Sequence, residues 1–150
     1  MAERDYDVFV SYARRDRPEW VEALATNLHQ RGFVAKQRGS YEEALEWYRK
    51  SLAIGEELGN RAGMASSLGQ IGVLLTKTGR AEEAVPWNLR SLSISLQIGV
   101  PEVRIDLLWL GRQREALGEE RFGVILREHL DEPAAANVLR MLDESEPQES

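Results

Sequence analysis

The chain has 150 residues, 25 of them acidic against 19 basic, for a formal charge of -6, and it contains no cysteine. That balance argues against a nucleic-acid backbone as the main ligand, and the missing thiols exclude a disulfide framework or a thiolate metal site. The length suits one domain or a short repeat array, and no run approaches membrane-spanning length, so a soluble, cytoplasmic protein is expected.

The chain opens with a charged segment that does not read as a signal peptide, followed by Asp5-Tyr6-Asp7-Val8-Phe9-Val10-Ser11-Tyr12. Val8-Phe9-Val10 is an unbroken β-branched and aromatic run, so a short strand is expected over residues 6–12. Asp16 and Pro18 then suit the start of a helix whose apolar stripe is Val21, Leu24, Ala25 and Leu28, and Gly32-Phe33-Val34 follows. Strand, polar loop, helix and Gly-Phe-Val in this order resemble the opening of a Toll/interleukin-1 receptor (TIR) domain, over residues 1–34. The rest of that domain is missing, including the later helix that carries the catalytic glutamate of NAD-cleaving TIR enzymes. Phe33-Val34 would start a strand in the TIR reading. Leu28, Gln30, Gly32, Ala35 and Arg38 belong to a helix in the reading developed next, and one long helix from about Pro18 to Arg38 is favoured. The strand at 6–12 is then an edge without a partner in its own chain, which invites self-association into a homo-oligomer.

Residues 32–59 laid over 72–99 repeat one pattern: Gly32 on Gly72, Gly39 on Gly79, Glu42-Glu43-Ala44 on Glu82-Glu83-Ala84, Trp47 on Trp87, Ser51-Leu52 on Ser91-Leu92 and Gly59 on Gly99. The offset is 72 minus 32, or 40 residues, in the range of stacked repeats whose units bury apolar faces against each other. Tyr41, Ala44, Leu45, Tyr48 and Leu52 form one helical stripe, and Met64, Leu68, Ile71 and Leu75 another, so each unit is a helical hairpin. Ser40 with Glu43 reads as a capping box, and Gly79 as a left-handed C-cap. Gly72 lies mid-helix, where it costs about 1 kcal/mol against alanine. A close approach across the hairpin to Ala84 and Ser91 would account for it. The spacing Gly32, Gly39, Tyr41, Ala44, Tyr48, Ser51 resembles the tetratricopeptide repeat, and the 40-residue period resembles the subclass of kinesin-light-chain-like scaffolds. The resemblance implies a mainly α fold of antiparallel hairpins stacked as a short right-handed superhelix over residues 28–131.

Past Gly99, Pro101 suits the start of a third hairpin, and Val103, Leu107 and Leu110 repeat the stripe of Met64, Leu68 and Ile71 with a 39-residue shift. Gly111 and Gly118 match Gly72 and Gly79. The copy then decays, with Arg114 in place of Leu75 and Leu130 where Ser51 and Ser91 stood. Asp131 and Pro133 restart a helix with an apolar face of Ala135, Val138, Leu139 and Leu142, expected to cap the stack over 132–143. The acidic tail 144–150 reads as disordered. Pro86 falls inside a helix and should bend it.

No catalytic constellation emerges, and no cofactor or metal pattern. His29 and His129 lack ligand partners at metal spacing and read as solvated helix residues, and the glycines are accounted for by the repeat. In the tetratricopeptide family the first helix of each hairpin lines a concave groove that binds peptides or helices. Carried onto this sequence, the resemblance places Gln30 and Phe33, Gln70 and Val73, and Trp109 and Arg112 on that groove, with Lys36 and Lys77 one turn further. The glutamines would hold a bound backbone, since a side-chain amide both donates and accepts. The cations would favour an acidic protein or peptide ligand, although the family's dicarboxylate clamp is not reproduced. The expected role is a non-enzymatic scaffold or adaptor in intracellular signalling. The alternative is a TIR-type NAD-cleaving enzyme, or a truncated remnant of one, regulated by the repeats.

Overall fold

The computed structural model describes residues 19–145, all but the connecting turns in helices: α1 (Glu19–Gln37), α2 (Tyr41–Leu58), α3 (Arg61–Lys77), α4 (Ala81–Ile98), α5 (Val103–Leu117), α6 (Glu119–His129) and α7 (Glu132–Ser145). The strand expected over 6–12, and the self-association through it, lie outside the described residues. So do residues 146–150 of the expected tail, whereas residues 144 and 145 extend α7 by two positions. Gly32-Phe33-Val34 is not a turn into a second strand but the interior of α1, as the repeat pattern required.

Helices pair in sequence as α1–α2, α3–α4 and α5–α6, and the pairs stack, with α3 on α2, α5 on α4 and α7 against α5. First helices also touch first helices, α3 to α5 and α5 to α7, while α4 touches α6, which makes two rows. The stripes legible in the sequence face the junctions. Ala44, Leu45, Tyr48 and Leu52 of α2 join Leu68, Ile71 and Leu75 of α3 in one cluster. Leu110, Phe122, Ile125, Leu126, Ala135, Val138 and Leu142 join Val85, Leu89 and Leu92 of α4 in another. Complete burial of a leucine or isoleucine contributes about 1.5–3 kcal/mol, so these seams hold the stack together.

The turns repeat with the sequence. Gly39 and Gly79 take φ of 78° and 80°, a left-handed conformation that side chains resist, and the next residues donate back to the helix, Ser40 N to Ala35 O at 2.9 Å and Arg80 N to Leu75 O at 2.8 Å. This closure explains why the expected capping box does not form. The Ser40 amide that Glu43 would have satisfied is already used, no side-chain cap bond is made there, and Glu43 Oε1 instead accepts from Trp47 Nε1 at 3.3 Å. Asn60 and Asp131 do cap, accepting from Gly63 N at 3.0 Å and Ala134 N at 2.9 Å.

Gly32 and Gly72, mid-helix in the first two copies, sit at close approaches, and that of Gly72 is not against Ala84. A Cβ on Gly72 would stand 1.9 Å from Asn88 Oδ1, and one on Gly32 would stand 2.9 Å from Tyr48 Cε1, the residue 40 positions before Asn88. Ser51 and Ser91 do meet the facing backbone, donating to Ala25 O and Ala65 O at 2.9 Å. The third copy departs in the way its sequence decays. Helix α6 has 11 residues where α2 and α4 have 18, and it ends at Leu130. Arg114, in the place of Leu75, reaches Glu119 and Asp143 at 2.9 Å each, so ion pairs tie α5 to α6 and α7 where apolar packing served before.

Gly72→Ala should lower stability by about 1–3 kcal/mol, because Asn88 is fully buried and held by Gln113 Nε2 at 2.7 Å. Gly111→Ala, with nothing within 4 Å of the added carbon, should instead gain up to about 1 kcal/mol from helix propensity. Urea unfolding of the two variants checks the contrast, and pairing Gly72→Ala with Asn88→Ala should recover part of the loss.

Candidate functional site

Of the eight residues expected on the first helices α1, α3 and α5, seven are exposed or half-buried. Lys36 Nζ donates to Gln70 Oε1 at 2.8 Å, joining α1 to α3, and stands 5.5 Å from the Phe33 ring. Lys77 Nζ of α3 and the Arg112 guanidinium of α5 flank the Trp109 ring at 5.9 and 4.6 Å. Gln30 is exposed and lines the edges of two clefts on α1. Val73 is the correction: at 4 % exposure it belongs to the core, so the turn that shows Gln70 and Lys77 hides it.

The two groups are electrostatically linked. Burial, and then the charge of Lys77, hold the Lys36 ammonium below its ordinary value. Among the described residues no carboxylate pairs with Lys36, Lys77 or Arg112, whereas Lys50, Arg80, Arg90, Arg114 and Arg121 have acidic partners. With its carbonyl oxygen taken by Lys36, Gln70 keeps its amide nitrogen as a donor. Beside these groups Phe33, Ile105 and Leu108 are about half exposed, at 50, 51 and 53 %. Ile105 and Leu108 escaped the sequence reading. Their only signal was the 39-residue shift, which sets them over Ser66 and Gly69, residues that the repeat pattern did not single out.

His29 was expected to be a solvated helix residue and is instead half buried at the first junction. Its Nδ1 lies 3.4 Å from Ser67 Oγ, its Nε2 3.4 Å from Ser66 Oγ, and its ring meets Tyr48 edge-on with centroids 5.0 Å apart. It borders a cleft of about 290 Å³ that Thr26, Gln30, Asn60 and Ser66 also line. Among the described residues no cluster of three or more histidines and carboxylates stands where it could hold a metal ion.

Burial first, and the charge of Lys36 second, push His29 below its ordinary 6.5. A depressed base contributes stability that is complete above 6.5 and lost as the pH falls below it. Acidification should therefore loosen α1 from α3, and His29→Gln should remove that acid sensitivity. Hydrogen exchange of the α1 amides, corrected for intrinsic rates, provides the check.

No described helix is long and apolar enough to cross a membrane. Among curated proteins no match to the chain is found. A family model for the tetratricopeptide repeat matches residues 23–97, half of the sequence, from the middle of the first turns of α1 to the end of α4. Hairpins, repeat period and that match agree: the chain belongs to the tetratricopeptide repeat family, whose members generally mediate protein–protein interaction.

Proposed function

We propose that the chain is a non-enzymatic adaptor that binds an acidic segment of a partner protein across α1, α3 and α5. One observation carries this: Lys36, Lys77 and Arg112 lie on successive first helices without an acidic partner among the described residues, in a protein whose net charge is -6. Cations without a carboxylate partner, set beside aromatic faces, remain able to receive one from a ligand. Gln70 would donate its amide to the bound backbone, and Phe33, Trp109, Ile105 and Leu108 would cover apolar side chains of the same segment. Lys36, which is half-buried, gains more from such a ligand than the exposed Lys77 and Arg112, because less water screens the pair.

A role in intracellular signalling, and the rival NAD-cleaving enzyme of TIR type, rest on the sequence of residues 5–34 alone. No feature of residues 19–145 favours the enzyme over the adaptor.

A display library of random peptides selected on the chain tests the adaptor reading. The selected pool should be enriched in Asp and Glu, and its binding should fall at least about tenfold for Lys36→Glu with Lys77→Glu. Raising the salt concentration should weaken binding in the same way. A pool without acidic excess, or one indifferent to the charge reversal, would overturn it.

A further inference from the structure

The two junctions between hairpins reuse one slot with different occupants. At the first, between α1, α2 and α3, it holds His29, Tyr48 and Ser67. The residues 40, 40 and 39 positions on are Gly69, Asn88 and Asp106, which meet at the second junction between α3, α4 and α5. Where the imidazole stood there is now a bare glycine. The space it releases is taken by the longer Asp106, whose Oδ1 would lie 3.4 Å from a Cβ on Gly69.

Asp106 is 2 % exposed and is held only by neutral groups. Its Oδ1 accepts from Asn88 Nδ2 at 3.4 Å, and its Oδ2 lies 2.9 Å from Ser91 Oγ and 3.3 Å from Ser95 Oγ. Asn88 is in turn held by Gln113 Nε2, which also donates to Thr76 Oγ1 at 3.0 Å. No arginine or lysine among the described residues pairs with the carboxyl. Gly69 of α3 and the side chains of Asn88, Ser91 and Ser95 of α4 face it, none of them ionisable. Among the described residues no charged group of α6 or α7 acts on it, and the one charge that does, Glu102 at the start of its own helix, repels it.

The two forms of the carboxyl use the Ser91 proton differently. The Ser91 hydroxyl has one proton and two acceptors at 2.9 Å, the Ala65 carbonyl and Asp106 Oδ2. Its counterpart Ser51 spends that proton on Ala25 O at the same distance, with no carboxylate beside it. An ionised Asp106 draws the Ser91 proton away from Ala65 O, whereas a neutral one can donate to Ser91 and leave that proton on Ala65 O, as at the first junction. We propose that Asp106 is a proton-operated latch: as a neutral acid it donates to Ser91, which donates to Ala65 O and closes α5 onto α3 and α4, and on losing its proton to water it breaks this relay and loosens α5.

Burial, opposed by the hydrogen bonds of Ser91, Asn88 and Ser95, pushes the Asp106 carboxyl up from 3.8 to about 6. A raised carboxyl contributes stability that is complete below 3.8 and lost as the pH rises through about 6. Because α5 also carries Trp109 and Arg112, the latch sets the far wall of the proposed groove. That consequence rests on the adaptor reading, whereas the latch itself does not.

The test uses the whole chain without any ligand, so that its failure is separate from that of the groove. The Asp106 carboxyl carbon is followed by NMR against pH, and hydrogen exchange of α5 is compared at pH 5 and pH 7 in the natural chain and in Asp106→Asn. A carboxyl midpoint above about 5, and an opening of α5 that rises about tenfold between the two pH values and loses that rise in the variant, are expected. A midpoint below 5 overturns the latch even if the variant does not fold, and so does an equal pH dependence in natural chain and variant.

Discussion

A hairpin of two helices has more apolar surface than its two members can hide from water, and the rest of the molecule follows from where the surplus goes. In α3 the surplus is Ile71 and Leu74, both fully buried against the first hairpin. The same positions in α1 are Arg31 and Val34, and the latter is 46 % exposed. Arg31 lies over the Trp47 ring at 5.2 Å and donates to Asn27 Oδ1 at 3.0 Å, so the leading face of the first hairpin is shielded by a cation and a hydrogen bond. At the other end Arg114 substitutes ion pairs for the packing of Leu75. The duplicated middle of the array is joined by apolar packing, and the first and third hairpins add charged contacts to theirs.

Much of this was legible before any coordinates, because periodicity survives translation into structure whenever one side chain faces one neighbour. The stripe Leu68, Ile71, Leu75 and the caps at Gly39 and Gly79 are such cases. What the sequence hid were contacts that depend on two elements at once. Gly72 announced a close approach, yet the partner is Asn88, because the facing helix is rotated so that the position of Tyr48 meets the glycine, not that of Ala84. Ser40 and Glu43 matched a capping signature, but the preceding turn had already taken the amide they would have shared. His29 looked solvated since nothing in its own helix covers it. Its cover comes from Ser66, Ser67 and Tyr48, between 19 and 38 residues away.

The candidate groove shows the same division. The resemblance to the tetratricopeptide repeat pointed to Lys36, Gln70, Lys77, Trp109 and Arg112, and the contacts of Lys36 with Gln70 and of Lys77 with Trp109 join successive first helices. The burial of Val73 could not be read from it, since that is fixed by the rotation of α3 about its own axis, a few tens of degrees that a register does not specify. Nor could the pairing of Lys36 with Gln70 be read in advance. That bond uses one of the two acceptor sites of the glutamine oxygen and leaves both amide protons free to donate.

The two junctions also respond to acidity with opposite sign. The first depends on an imidazole that must stay neutral, and acid weakens it. The second depends on a carboxyl that holds best when neutral, and base weakens it. A single midpoint of global unfolding reports only the sum of the two, since acidification weakens one seam and strengthens the other. The change appears instead in which hairpin opens first. The proposed binding face includes residues beside both seams, so acidity would redistribute its looseness between the Lys36 end and the Arg112 end, and a ligand that bridges all three first helices would feel both.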